Sequence, residues 1–120
     1  MKTIIITRHK PLIDWLNAAG ISGPVYEQVV GDREPATPNE IHLRDLEGAH
    51  VIGVLPLWIA ASGPALVSEV AMPRLPLEAR KRLQGSDFTI EEMDQWGAEL
   101  VTYLPPRRLS AEERDALLKQ

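Results

Sequence analysis

Residues 3–16, "TIIITRHKPLIDWL", hold a strand, a corner and a helix in one short stretch. Thr3 to Thr7 is a β-branched run without alternation, the pattern of a strand covered on both faces. It breaks into Thr7-Arg8-His9-Lys10, three cationic or potentially cationic side chains in a row. Pro11 then suits the first turn of a helix, where its missing N–H is no loss. Leu12, Ile13, Trp15, Leu16 and Ala19 recur at helical spacing as one apolar face, and Gly20 stops the helix as its C-cap. The same grammar returns in "HVIGVLPLWIAA" (50–61): Val51 to Leu55 reads as a buried strand and Pro56 opens a helical pattern. Strand, abrupt turn and helix, twice over, is the sequence form of a parallel α/β sheet.

The remaining segments fill out that class. "GPVYEQVVG" (23–31) reads as one further strand, and "GDREPATPNEI" (31–41), with two prolines, as a loop. Gly63-Pro64 cuts the second helix short. "ALVSEVAMPRL" (65–75) contains a strand, followed by Pro76 and a helical stretch to about Leu83. Ser86 or Thr89 caps the next helix, because "TIEEM" sets two glutamates in a first turn where the macrodipole favours them. Gly97 ends it and "AELVTYL" (98–104) closes as a strand. Beyond Pro105-Pro106, "LSAEERDALLKQ" is expected to be a capped amphipathic helix with Ser110 as N-cap, a terminal appendage or a partner contact.

Composition narrows the function classes. The chain has 120 residues, 44% hydrophobic and 25% charged, which fits one ordinary globular domain. A domain of this length buries roughly two-thirds of its unfolded surface and needs no disulfide or metal staple. There is no cysteine, which removes thiolate zinc sites and cysteine nucleophiles and points to a cytoplasmic protein. The N-terminal apolar run of three isoleucines is too short for a secretory h-region, and no segment approaches the length of a bilayer span. The net charge of −4 argues against binding a long nucleic acid, which is gripped through many Lys and Arg contacts. A small anion held by a few local cations stays open.

The candidate site follows from the strand-to-helix corner. In open parallel sheets, ligands sit beyond the carboxyl ends of the strands, where helix N-termini present free N–H groups to anions. Thr7, Arg8 and His9 fall at such a place with a hydroxyl, a forked guanidinium and an imidazole. The alternative is a solvated corner with Arg8 paired to a carboxylate. In "VLPLWIAA" a helix follows a strand with no polar cap, so Leu55, Pro56 and Trp58 join the ligand-binding candidates, although a tryptophan there also suits a core or an interface. His42 and His50 show no metal-ligand spacing with His9, so no metal or cofactor is expected. No nucleophile elbow, GxGxxG or P-loop is present.

Three ordered stretches carry a family resemblance: "ITRHKPLIDWL", "GAHVIGVLPLWIAA" and "LPLEARKRLQGSDFTIEEMDQWGAELVTY". They resemble a small CRISPR-associated family of type III loci, over residues 3–104. Two departures stand out: Trp58 replaces a polar residue frequent in relatives, and Arg80-Lys81-Arg82 replaces an Arg-Gly pair, with the glycine displaced to Gly85. The resemblance implies a minimal Rossmann-like, CARF-type domain over 1–104, with helices on both faces of a parallel sheet, and leaves outside it a C-terminal helical extension at 105–120, read from its own residues. It also implies a ring nuclease that cleaves cyclic oligoadenylate, chiefly cyclic tetra-adenylate, without a metal and as a homodimer. In that chemistry the ribose 2′-OH attacks the neighbouring phosphate, leaving a 2′,3′-cyclic phosphate. Arg8 and His9 then become the catalytic candidates, for charge stabilisation and proton donation, with Thr7 and Lys10 binding or orienting phosphate. A non-catalytic binder of the same messenger is the alternative.

Overall fold

The computed structural model describes residues 1–83 and 88–120. Elements appear in the order β1 (Thr3–Ile6), α1 (Lys10–Ala18), β2 (Val25–Tyr26), β3 (Gln28–Val30) and β4 (Glu40–His42). A 3₁₀ turn (Leu43–Leu46) leads to β5 (His50–Ile52), α2 (Leu57–Ala60), β6 (Leu66–Ala71) and α3 (Leu77–Leu83). The chain closes with α4 (Ile90–Gln95), β7 (Glu99–Tyr103) and α5 (Ala111–Leu118).

The main sheet has five strands in the order β2-β1-β5-β6-β7. β1 pairs in parallel with β2 and β5, and β5 with β6; only β7 runs antiparallel, against β6. This is the mostly parallel, Rossmann-like architecture expected from the repeated strand-turn-helix grammar, with an antiparallel edge strand of a kind common in such sheets. Alternate residues of β1 and β5 face opposite layers. Ile4, Ile6 and Val51 pack with Ile41 of β4, Leu46 of the 3₁₀ turn and Ile59 of α2. Ile5 and Ile52 pack with Leu16 and Trp15 of α1. Both faces are therefore covered, which explains why these strands read as unbroken apolar runs.

Several local expectations are corrected. The 23–31 stretch is two strands, not one, because the chain leaves the main sheet at Glu27. β3 then pairs in parallel with β4 as a separate two-stranded sheet, so the 31–41 loop gives up Glu40 and Ile41 to a strand. Ala19 lies exposed beyond the apolar face of α1. Gly20, at φ +82°, is the residue after the cap: Ile21 N donates to Leu16 O at 2.9 Å and Gly20 N to Asn17 O at 3.0 Å, a Schellman closure that requires the left-handed conformation. Thr89, not an earlier serine, caps α4 in a reciprocal capping box with Glu92; Ser86 lies outside the described residues, as does Gly85. Ser110 caps α5 in the same way with Glu113. That helix buries nothing, and its two leucines, 117 and 118, are sequence neighbours that point to different sides. It is not the amphipathic helix its pattern promised.

Candidate functional site

The site is built where β1 ends. Thr7 N donates to Tyr26 O at 2.9 Å, holding the corner to β2, and Thr7 Oγ1 accepts from His9 N at 3.1 Å. This short side-chain-to-backbone bond turns the chain sharply. It leaves His9 as the N-cap of α1, extended at φ −100° and ψ 109°, with Pro11 in the first turn. The first turn of α1 carries no acidic residue and begins with Lys10. Cations there oppose the macrodipole, so the corner is ill suited to helix stability and well suited to an anion.

An open cavity of about 340 Å³ lies beside this corner, within the size range of ligand sites. Thr7, Arg8 and His9 line it together with Glu27, Gly53, Val54 and Phe88. All of these but Phe88, which precedes α4, follow the carboxyl ends of β1, β2 and β5, the location typical of ligand sites in parallel sheets. The His9 ring leans on Phe88, with centroids 5.4 Å apart and planes tilted by 44°. Phe88 is itself buried with Met93 and Trp96, so the imidazole rests on a fixed wall.

Arg8 is exposed but not loose. Its Nη2 donates to Gln28 Oε1 at 3.0 Å, and Gln28 Nε2 donates in turn to Glu40 Oε2. The other Glu40 oxygen accepts from Thr37 N at 3.0 Å. The Thr37 backbone bond first, and then Gln28, hold the Glu40 carboxyl below its ordinary range. A charge-anchored chain therefore ties the guanidinium to the small sheet.

The other sequence candidates separate. Lys10 lies outside the cavity lining; its Nζ pairs with Asp14 Oδ2 at 2.9 Å along α1. Leu55 lines a neighbouring cavity of about 350 Å³ that shares Gly53 and Val54 with the first. Pro56 is the N-cap of α2. Trp58, 64% exposed, lines a third opening with Leu57, Ser62, Arg107 and Arg108. Sequence reasoning passed over Glu27, Gln28 and Phe88. The strand-end rule that found Arg8 also applies to Glu27, but a two-residue strand leaves no periodic signal to locate its end.

The fold is a small Rossmann-like domain with a cavity at its strand ends. The chain belongs to a CRISPR-associated family: residues 4–104 match the one described as "Putative CRISPR-associated protein (Cas_VVA1548)". No curated protein and no solved structure matches it. Among the described residues, no helix is long and apolar enough to cross a membrane.

Proposed function

We propose that this protein is a ring nuclease that binds a cyclic oligoadenylate, cyclic tetra-adenylate above all, and cleaves it to linear di-adenylate ending in a 2′,3′-cyclic phosphate. Its role in the cell is to switch off type III CRISPR signalling in the cytoplasm. The observation that carries the reading is the meeting of Arg8, His9 and Glu27 in one cavity at the strand ends of a CRISPR-associated domain.

The reaction needs an aligned 2′-OH, charge stabilisation on the phosphorane and a proton for the leaving 5′-oxygen. Arg8 meets the phosphate oxygens with its fork. His9, as imidazolium, gives its proton to the 5′-oxygen, and Glu27 takes the proton of the 2′-OH as that oxygen bonds to phosphorus. The P–O5′ bond breaks, and the protons gained and lost balance. None of these steps calls on a metal.

A two-fold dimer suits a ring, because an isologous cleft presents two copies of one site. Val54, Leu57 and Leu104 are 88%, 77% and 82% exposed around the cavities, an apolar rim that a second copy would cover. Incubation with cyclic tetra-adenylate in EDTA tests the reading. Linear di-adenylate with a cyclic phosphate end is expected. Intact ring after prolonged incubation sinks the nuclease, and tight stoichiometric binding without turnover would make the protein a binder of the messenger.

A further inference from the structure

The cavity of about 350 Å³ beyond the Gly53–Val54 strip has no part in the cleavage chemistry. Its walls are largely apolar, with Leu55, Ala60, Val67 and Pro106 among them. Two polar side chains converge there, Glu69 of β6 and Tyr103 of β7. They are diagonal neighbours on one sheet face, because Val67 pairs with Tyr103 and Glu69 with Val101. Tyr103 Oη donates to Glu69 Oε1 at 3.2 Å.

That bond decides what the pair offers a ligand. Removal from water first, and then the Glu69 bond and the charges of Glu69 and Glu99, push the Tyr103 phenol above its ordinary range. The phenol is the donor in that bond, so its proton is directed at the carboxylate. What remains toward the cavity is acceptor capacity, in the Tyr103 oxygen lone pairs and the second carboxylate oxygen of Glu69. An amino group brings two N–H donors to such a pair, whereas a ring carbonyl in the same place would set its lone pairs against theirs. An apolar slot with a few convergent polar groups is the usual form of a small-molecule site.

We propose that this cavity is a nucleobase subsite selective for a ring with an exocyclic amine, as in adenine. The ring lies between the apolar walls, the amine donates to Glu69 and Tyr103, and the nucleotide's phosphate reaches across the Gly53–Val54 strip toward Arg8. The identity of the natural ligand rests on the ring-nuclease reading; the selectivity does not.

Adenosine and inosine 5′-monophosphates test it, since one carries an amine where the other carries a carbonyl. Each is titrated into ¹⁵N-labelled protein and followed by the backbone amide signals. The adenine nucleotide is expected to shift the signals of Gly53, Val67, Glu69 and Tyr103 and to bind about tenfold more tightly than the inosine nucleotide. Glu69→Gln, whose side-chain amide donates as well as accepts, should erase that preference while leaving the rest of the spectrum in place. Equal affinities, shifts that avoid β6 and β7, or a preference that survives Glu69→Gln would each overturn the subsite. The cleavage assay is read separately. Ring cleavage by a protein with no adenine preference removes the subsite and keeps the nuclease. An adenine preference lodged at Glu69 without cleavage does the reverse.

Discussion

At the scale of residues, the Thr7–Lys10 corner was legible because a cationic run interrupts an apolar strand, which composition alone makes conspicuous. Its division of labour was not. Lys10 and Arg8 are equivalent charges in the sequence, yet Lys10 turns to Asp14 while Arg8 is held by Gln28. Gln28 lies twenty positions away in a strand whose partner, β4, hides behind Pro35 and Pro38. Arg8→Ala should therefore lower kcat/KM for cyclic tetra-adenylate by about 10²–10³ and weaken binding too. His9→Ala should lower kcat by a similar or larger factor, about 10²–10⁴, with the dissociation constant little changed. Single-turnover kinetics beside equilibrium binding separates the two; equal activity in both variants would refute the site. Gln28→Ala tests positioning: it acts only through Arg8, so kcat/KM should fall severalfold and Gln28→Ala should add nothing on top of Arg8→Ala. A further loss in the double variant would show that Gln28 touches the ligand.

At the scale of elements, β1 was readable from its unbroken apolar run, and the run at 51–55 announced β5 but overran it, since the strand is His50–Ile52 and Val54 is exposed. The β2–β3 split was not readable, because a strand changing sheets keeps its composition. The polar interior of the sheet was also hidden. His50 on β5, Ser68 on β6 and Thr102 on β7 form a ladder on one face: His50 Nε2 to Ser68 Oγ at 2.5 Å, and Ser68 Oγ to Thr102 Oγ1 at 2.7 Å. Ser68 is buried, so its two bonds satisfy a hydroxyl that would otherwise be costly inside. Burial lowers the pKa of His50, so the unfolded chain binds its proton more readily than the folded one does. Stability from this group is then full above the ordinary histidine pKa and is lost as pH falls through the depressed folded value. Thermal melts at pH 7.5 and 5.5 should show a drop on acidification that His50→Gln reduces; an unchanged drop would clear His50 of the effect. Gly53 follows β5 directly at φ +159°, and a Cβ there would run into the Ile6 carbonyl oxygen. Gly53→Ala should destabilise the domain by more than ~1 kcal/mol, read as a lower denaturant midpoint at unchanged slope.

At the scale of the whole molecule, the repeated strand-turn-helix unit foretold the parallel sheet. The reversal of β7 was not visible, since an edge strand alternates in the same way in either direction. The chain after β7 divides into two parts with different consequences. Residues 104–108 form walls: Leu104 and Pro106 line the base-sized cavity, and Pro106, Arg107 and Arg108 line the one beside Trp58. α5 adds no buried residue, and its tie to this segment is the exposed pair Arg107–Glu113 at 3.0 Å. Pairs of that kind contribute little. Deleting residues 109–120 should thus move the melting temperature by no more than ~2 °C and leave ring binding intact, whereas deletion from 105 onward should weaken binding by removing a cavity wall. The apolar surface available to a second copy gathers on α2 and the strand ends, at Leu57, Trp58, Val54 and Leu104, whereas α5 exposes Leu117 and Leu118. The chain lacking residues 109–120 should therefore still sediment as a dimer, and Leu57→Asp in the full chain should sediment as a monomer with an unchanged circular dichroism spectrum. A monomeric truncation beside a dimeric Leu57→Asp would move the subunit contact onto α5, and with it the surface that closes around the ring.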